Sequence, residues 1–383
     1  MSDLLQFHQW LLTDRNRTLA YRDAINLAVK KDDVVLDIGT GTGILSFFAC
    51  LAGARKVYAI EKNDAITLAR EICAANGFTD CVEFIQNRSQ NITLPEQVDV
   101  ILSDTGASFG LQGGMLGTLL DARRRFLKPG GRIFPQTVDL FVSPVELEDV
   151  RSLDVWSKNR YGVDLSPIRR FAANTNYHMS LDRDNVLAPS QLLATVSFQD
   201  VETTYVSGET LSVIEKNGVM HGLGGWISVN LVPQVSFSNS PLECSDRIVK
   251  WTQSVFPIDT PVPVSVGDHV KSKVSTNNGK QWRWQIEISE GKPGGSGSRV
   301  KARFDHSTIG SFPIASKDLK KQNSCYAPRL SRQGEAESFL LGALNGKRTL
   351  AELTGDLLAK FPDCFPTQIA ASRFARNVVD RCS

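Results

Sequence analysis

Between residues 3 and 30 apolar positions recur at helical spacing. Leu4, Leu5, His8, Leu11 and Leu12 fall on one face and Tyr21, Ile25 and Ala28 on another, which predicts two helices ahead of the first strand. Residues 34–39, VVLDIG, are a short apolar run ended by glycine. After a glycine-rich turn, ILSFFACLAG reads as a helix and KVYAIE at 56–61 as a second strand, completing a βαβ unit. A helix at 64–76, a strand at 82–85, the apolar run VDVILSD at 98–104, a helix at 114–126 and a strand after the turn Pro129-Gly130-Gly131 continue the alternation. Such alternation predicts an α/β fold with a mostly parallel, doubly wound sheet.

At Ile133-Phe134-Pro135 the rhythm changes to short alternating runs, among them Thr137–Val142, Gly225–Leu231, Val270–Val274 and Trp282–Ile288, which predict a second, antiparallel part. An insertion at 152–190, carrying Trp156, Tyr161, Ile168 and Phe171, is too long and too apolar for a plain hairpin loop. The stretch GKPGGSGSR at 291–299 reads as a flexible turn, and helical periodicity returns through Phe339, Leu340, Leu344, Leu350, Leu353, Leu357 and Leu358. The expected organisation is therefore a cofactor-type α/β part over 1–135, an antiparallel part over 136–320, and a helical, winged-helix-like appendage over 324–383. That appendage reads either as a cap or as a docking module for a peptide or protein. Arg348, Lys360, Arg373, Arg376 and Arg381 are balanced there by Glu335, Glu337, Glu352, Asp356, Asp363 and Asp380, so DNA binding is not suggested.

Composition narrows the classes. The 383 residues are 42% hydrophobic and 22% charged, an ordinary folded composition, and 43 Lys plus Arg against 41 Asp plus Glu give no bulk reason for a polyanionic partner. Cys50, Cys73, Cys81, Cys244, Cys325, Cys364 and Cys382 form no C-x-x-C pair, so neither a metal site nor a disulfide framework is expected. The longest largely apolar stretch, Gly43 to Ala54, falls short of the roughly 20 residues needed to cross a bilayer, and a cytoplasmic protein is the expectation.

The candidate chemistry begins at Asp37-Ile38-Gly39-Thr40-Gly41-Thr42-Gly43, between a predicted strand and a predicted helix, where glycines let a ligand approach the main chain closely. A dinucleotide fingerprint would need glycine where Ile44 stands, which argues against a pyrophosphate ligand. Asp37 suits a cationic, phosphate-free ligand, and Glu61 ends the next strand where a carboxylate accepts both ribose hydroxyls. These features point to S-adenosylmethionine. The plainer reading makes Asp37 and Glu61 solvated strand ends.

His8, RTLAYR at 17–22, VVLDIGTGTGIL at 34–45, AGARKVYAIE at 52–61 and RIFP at 132–135 together resemble the protein arginine methyltransferase family across residues 6–320. The resemblance implies a Rossmann-like methyltransferase half, a β-barrel-like half, and a dimerisation arm in the 152–190 insertion, hence a homodimer. It implies that His8 and Arg17 lie on helices folded over the cofactor, with Arg17 pairing with the methionine carboxylate. Gly39 and Gly41 would line the amino-acid moiety, Glu61 the ribose, and Ser89 and Gln90 the adenine edge, Gln90 replacing the family's usual acidic residue.

The acceptor side departs from that pattern. The family's S-E…E-S-M-L hairpin, whose two glutamates clamp a guanidinium, aligns with Ser103-Asp104…Gly113-Gly114-Met115-Leu116: one carboxylate is shortened and the other absent. In the T-H-W motif, Val249-Lys250-Trp251 puts lysine where histidine stands, and the Y-F-x-x-Y element expected before His8 has no counterpart because the chain starts too late. Methyl transfer from a sulfonium needs an aligned lone pair and excluded water, and Asp104 is the carboxylate placed to orient the acceptor. Met115, Lys250 and Trp251 are candidate substrate contacts, with packing as the plainer reading of each. The expected acceptor is a small metabolite or peptide. The alternatives are an ordinary protein arginine held by one carboxylate, or a cofactor-binding partner subunit without turnover.

Overall fold

The computed structural model describes residues 2–104, 106, 108–147, 155–156, 161–243, 249–292, 294, 297–313, 316–321 and 323–382. The chain forms two compact units, residues 1–313 and 314–383, and the first contains both the α/β part and the antiparallel part.

Two helices, α1 (Ser2–Thr13) and α2 (Arg15–Ala28), precede the sheet. Asp14 lies between them and caps α2, its carboxylate accepting from Arg17 N–H. The sheet comprises β1 (Val34–Ile38), β2 (Lys56–Glu61), β3 (Val82–Gln86), β4 (Val98–Ser103) and β5 (Leu127–Phe134), all parallel, in the order β3-β2-β1-β4-β5. Helices α3 (Ile44–Leu51), α4 (Ala65–Ala75) and α5 (Met115–Phe126) make crossovers. Every residue of β1 is buried, as the unbroken apolar run requires of a central parallel strand. The chain winds outward from β1 through β2 and β3, then restarts on the other side with β4. The carboxyl ends of β1 and β4 therefore flank the topological switch point, where open α/β sheets bind their ligands.

One expectation needs correction. The turn Pro129-Gly130-Gly131 does not precede the fifth strand but bulges from within it: Val98 pairs with Leu127 and Val100 with Arg132, so residues 128–131 are looped out.

The antiparallel part runs from β6 (Thr137–Val145) through β7 (Tyr177–Met179), β8 (Gln191–Ser197), β9 (Tyr205–Val213), β10 (Gly218–Val232), β11 (Val235–Ser238), β12 (Gln253–Val264), β13 (His269–Asn277) and β14 (Gln281–Glu290) to β15 (Arg299–Ser307). One sheet has the order β7-β12-β10-β6-β8 with β11 beside β10; the other has β15-β14-β13-β9. Between β6 and β7, residues 152–154 and 157–160 of the expected arm lie outside the described residues. Its described remainder includes the one-turn helix α6 (Arg169–Ala172) and leaves Tyr161 94% exposed, with Val163 and Ile168 also exposed.

The second unit contains α7 (Ser316–Lys321), α8 (Arg332–Ala343), α9 (Leu350–Lys360) and α10 (Gln368–Cys382). The last three close on Ala336, Leu340, Leu353, Leu357, Phe361, Phe365, Ala371, Ala375 and Val378. Its described residues contain no strand, so the expected wing is absent among them. Three helices meeting on one apolar centre bury it without one.

Candidate functional site

The glycine turn after β1 adopts a backbone that L side chains avoid, with φ of 77° at Gly39, 55° at Gly41 and 88° at Gly43. At Gly41 a second constraint applies, because a Cβ would sit 2.6 Å from His8 Cε1. The His8 imidazole thus lies directly on the turn, and α1 forms a cover over it. Burial lowers the His8 pKa against the opposing pull of Glu61.

Glu61, at the carboxyl end of β2, is buried and accepts from Gly41 N–H at 3.2 Å and Asn63 N–H at 2.9 Å. Asp37 is buried deeper, and its Oδ2 accepts from the hydroxyls of Thr40 at 2.6 Å and Ser46 at 2.7 Å. Desolvation pushes the Asp37 pKa up to about 6, opposed by those hydroxyls. Neither acid is a solvated strand end.

Four atoms of the expected site residues are buried without a hydrogen-bond partner: Arg17 Nε, Asp37 Oδ1, Ser89 Oγ and Asp104 Oδ1. Orphaned buried polar atoms are costly, and their gathering on residues around one sheet edge marks a surface built to meet a ligand. A guanidinium N–H, a carboxylate oxygen and a hydroxyl suit the carboxylate, ammonium and adenosine groups of S-adenosylmethionine, so the residues present fit that molecule. Gln90, by contrast, is exposed and donates from its amide to Thr118 Oγ1 at 3.0 Å.

Arg17 is 4% exposed. Its guanidinium forms an ion pair with Asp104 Oδ2 and donates to Leu11 O at 2.6 Å. A buried cation without such partners would be strongly destabilising, and burial lowers the Arg17 pKa here while Tyr21 and Asp14 oppose the shift. The cofactor-side cation and the acceptor-side carboxylate of the sequence reading are therefore direct neighbours.

Asp104 follows β4 and shares a small cavity with Tyr21, Gly106, Met115, Phe237 and Trp251, whose volume of about 10 Å³ has room for about one water. The Tyr21 hydroxyl donates to Ser103 O at 2.9 Å. The structure thus brings Met115 and Trp251 to Asp104. It does not bring the Lys250 side chain there: Lys250 is exposed, and its contact inward is its backbone N–H, which donates to Asp14 Oδ2 at 3.0 Å. The two hairpin glycines also differ from each other. A Cβ on Gly113 would meet nothing within 4 Å, whereas one on Gly114 would sit 3.2 Å from Lys280 Cε.

Sequence reasoning missed the residues that hold this wall in place. Phe109 leaves the α/β part and packs on both Phe256 and Trp282, with ring centroids 5.5 and 5.2 Å away. The buried Asn239 donates to Ser108 O and Thr252 O, both at 2.8 Å, and accepts from Ile227 N–H at 2.8 Å. Asn278, at the tip of the β13–β14 hairpin, accepts from Gly117 N–H at 2.8 Å. Asp14 joins the start of α2 to the loop carrying Trp251. No local pattern could have linked these groups, since they meet only through tertiary structure; the one available signal was Asp14 as a helix cap.

Known proteins give the same picture. Residues 136–289 match the family described as the arginine methyltransferase oligomerization subdomain, and residues 18–134 match the family described as ribosomal protein L11 methyltransferase. Protein arginine N-methyltransferase 1 of Schizosaccharomyces pombe is 32% identical over 305 residues, covering 74% of this chain and 85% of that protein. Human protein arginine N-methyltransferase 2 is 32% identical over 306 residues, covering 74% and 69%. Among solved structures, the Trypanosoma brucei PRMT1 enzyme-prozyme heterotetrameric complex with AdoHcy superposes with a TM-score of 0.69 at 26% identity, covering 79% of this chain and 97% of that one. Arabidopsis thaliana protein arginine methyltransferase 10 shares the fold, with a TM-score of 0.67 at 23% identity and coverage of 79% and 98%.

Proposed function

We propose that this chain, which belongs to the protein arginine methyltransferase family of S-adenosylmethionine-dependent enzymes, methylates a nitrogen or other nucleophile of a small metabolite or peptide held by Asp104. The observation that carries this reading is the Asp104 carboxylate. Its Oδ2 is tied to Arg17, while its buried Oδ1 has no partner and borders a cavity with Met115 and Trp251. The position aligned with the second family glutamate, Gly113, offers only open space. A guanidinium gripped by two carboxylates gains bidentate, charge-assisted bonds that one aspartate supplies only in part. A smaller or differently shaped nucleophile matches one free oxygen better.

Bound S-adenosylmethionine supplies an electrophilic methyl group on a sulfonium. The residues that would hold it are Arg17 for the methionine carboxylate, Asp37 for the ammonium, Glu61 for the ribose hydroxyls, and Ser89 and Gln90 for the adenine edge. His8 closes over the glycine turn and excludes water. Because Arg17 keeps its bond to Asp104, the same guanidinium sets the acceptor carboxylate relative to the cofactor. Asp104 Oδ1 then accepts a hydrogen bond from the acceptor, aligns its lone pair for in-line attack and receives the displaced proton.

A homodimer is part of the proposal. The arm exposes Tyr161, Val163 and Ile168, while α2, α3 and α4 expose Leu27, Leu51 and Ile72. Two apolar surfaces on one chain can bury each other across a two-fold axis.

The second reading, a protein arginine held by one carboxylate, is favoured by the relatives' names. Methyl-labelled cofactor incubated with the protein and a host extract separates the two, with Asp37→Ala as the control. Label in small molecules or short peptides is the expected result; methylarginine released by hydrolysis of labelled protein overturns it in favour of the second reading. Asp104→Asn is expected to lower kcat by about 100-fold while cofactor binding is retained. Full turnover in that variant would remove Asp104 from the mechanism under either reading.

A further inference from the structure

The three cysteines of the α/β part were assigned no role by composition, since none lies in a C-x-x-C motif. Folding brings two of them together from 31 positions apart. Cys50, near the end of α3, donates to Cys81, just before β3, with the sulfurs 2.8 Å apart. Both thiols are half-buried, so neither is sealed from a small oxidant. Cys81 has a second neighbour in Ala54 O at 3.4 Å.

The two sulfurs are chemically unequal. The bond from Cys50 lowers the Cys81 pKa, against burial and with help from the Lys56 ammonium, whereas Cys50 is pushed up. An accepting, less basic sulfur beside a donating, more basic one is the arrangement in which one thiolate attacks an oxidant and the other resolves the product.

We propose that Cys50 and Cys81 form a redox-active dithiol that closes to an intramolecular disulfide when the protein meets hydrogen peroxide. The Cys81 thiolate attacks one peroxide oxygen, the O–O bond breaks, and the departing oxygen takes a proton and leaves as water. The Cys50 sulfur then attacks the Cys81 sulfenic acid. The S–S bond forms, the S–O bond breaks, and hydroxide leaves with the Cys50 proton as a second water. Two thiols are oxidised and one peroxide is reduced to two waters. A disulfide holds its sulfurs about 2.05 Å apart, so closure moves them by less than an ångström. The ring formed encloses β2, with Glu61 at its end, and α4.

The site stands apart from the methyl-transfer reading, and so does its test. The reduced full-length protein is treated with one equivalent of hydrogen peroxide, blocked with an alkylating agent, and mapped by mass spectrometry without reduction. A cross-linked Cys50–Cys81 peptide, with loss of two hydrogens and of two titratable thiols, is the expected result. Cys50→Ser should abolish the cross-link and accumulate a dimedone-reactive sulfenic acid at Cys81, while Cys73→Ser leaves the cross-link intact. Circular dichroism establishes that each variant is folded. A cross-link to Cys73, oxidation confined to the exposed Cys325 and Cys382, or no cross-link in the native chain overturns the proposal.

Discussion

Asp37 makes opposite demands on the fold and on the ligand, which a single substitution separates. Its pKa, about 6 against an ordinary 3.8, lies some two units high because burial penalises the charged form more than the Thr40 and Ser46 hydroxyls reward it. At about 1.4 kcal/mol per unit, holding the ionised carboxylate at neutral pH costs the folded protein up to about 3 kcal/mol. The sign is the reverse of the usual carboxylate. The folded state binds the proton more tightly than the unfolded state, so this contribution favours folding at low pH and is lost as pH rises through about 6. Asp37→Asn removes the cost while keeping an oxygen for both hydroxyls. Over a unit of 313 residues, with an unfolding entropy of about 2.1 cal/mol/K per residue, 3 kcal/mol corresponds to a rise in Tm of about 5 °C. That gain should be complete at pH 7.5, shrink as pH falls below about 6 and vanish only below about 3.8, where the aspartate is protonated in the folded and unfolded states alike. The same change removes a charge-assisted bond to the cofactor's ammonium and should weaken S-adenosylmethionine binding by about 10- to 100-fold at pH 7.5. Differential scanning fluorimetry across pH and isothermal titration calorimetry read the two effects. A variant that melts at or below the native temperature at pH 7.5, or binds cofactor within twofold of native, would refute the reasoning.

Gly41→Ala combines a left-handed backbone position with a Cβ 2.6 Å from His8 Cε1, and should destabilise the protein by about 1–2 kcal/mol and weaken cofactor binding. Adding His8→Ala should recover part of the stability loss but not the binding; no recovery in thermal melts would show that the imidazole does not rest on the turn. Leu51→Lys places a charge on an exposed apolar residue of α3 and should convert the expected dimer to monomers in sedimentation velocity; a native protein that is monomeric at micromolar concentration removes the premise.

The cofactor half was legible because its information is local. The buried run of β1, the glycines that require positive φ, and Glu61 at the end of the next strand all announce themselves within 30 residues of each other. The burial of Arg17 was not legible at all, since nothing in RTLAYR alone distinguishes a buried guanidinium from a solvated one, and the residue was singled out only through the resemblance. Its partner Asp104 lies far along the chain, and their ion pair could not be read at all. The Pro129-Gly130-Gly131 signal was read correctly as a break but misplaced, because proline and glycine mark where pairing fails without saying whether the strand resumes on both sides. Helical periodicity identified the terminal unit but could not exclude a wing, since a short strand leaves little period to detect.

The tethers of the acceptor wall span long stretches of chain: Asn239 reaches back 131 positions to Ser108, Thr252 reaches 144 to the same serine, and Asn278 reaches 161 to Gly117. The glycine turn and Glu61, by contrast, meet across 20 positions. Loop closure over such different distances separates the two halves of the site in time. As the polypeptide folds, the cofactor cradle can form early from neighbouring segments, while the wall beside Asp104 waits for the β13–β14 hairpin to dock. A half-folded chain can therefore assemble its methyl-donor side before it has anywhere to deliver the methyl group, and chemistry is withheld until the final long-range contacts close.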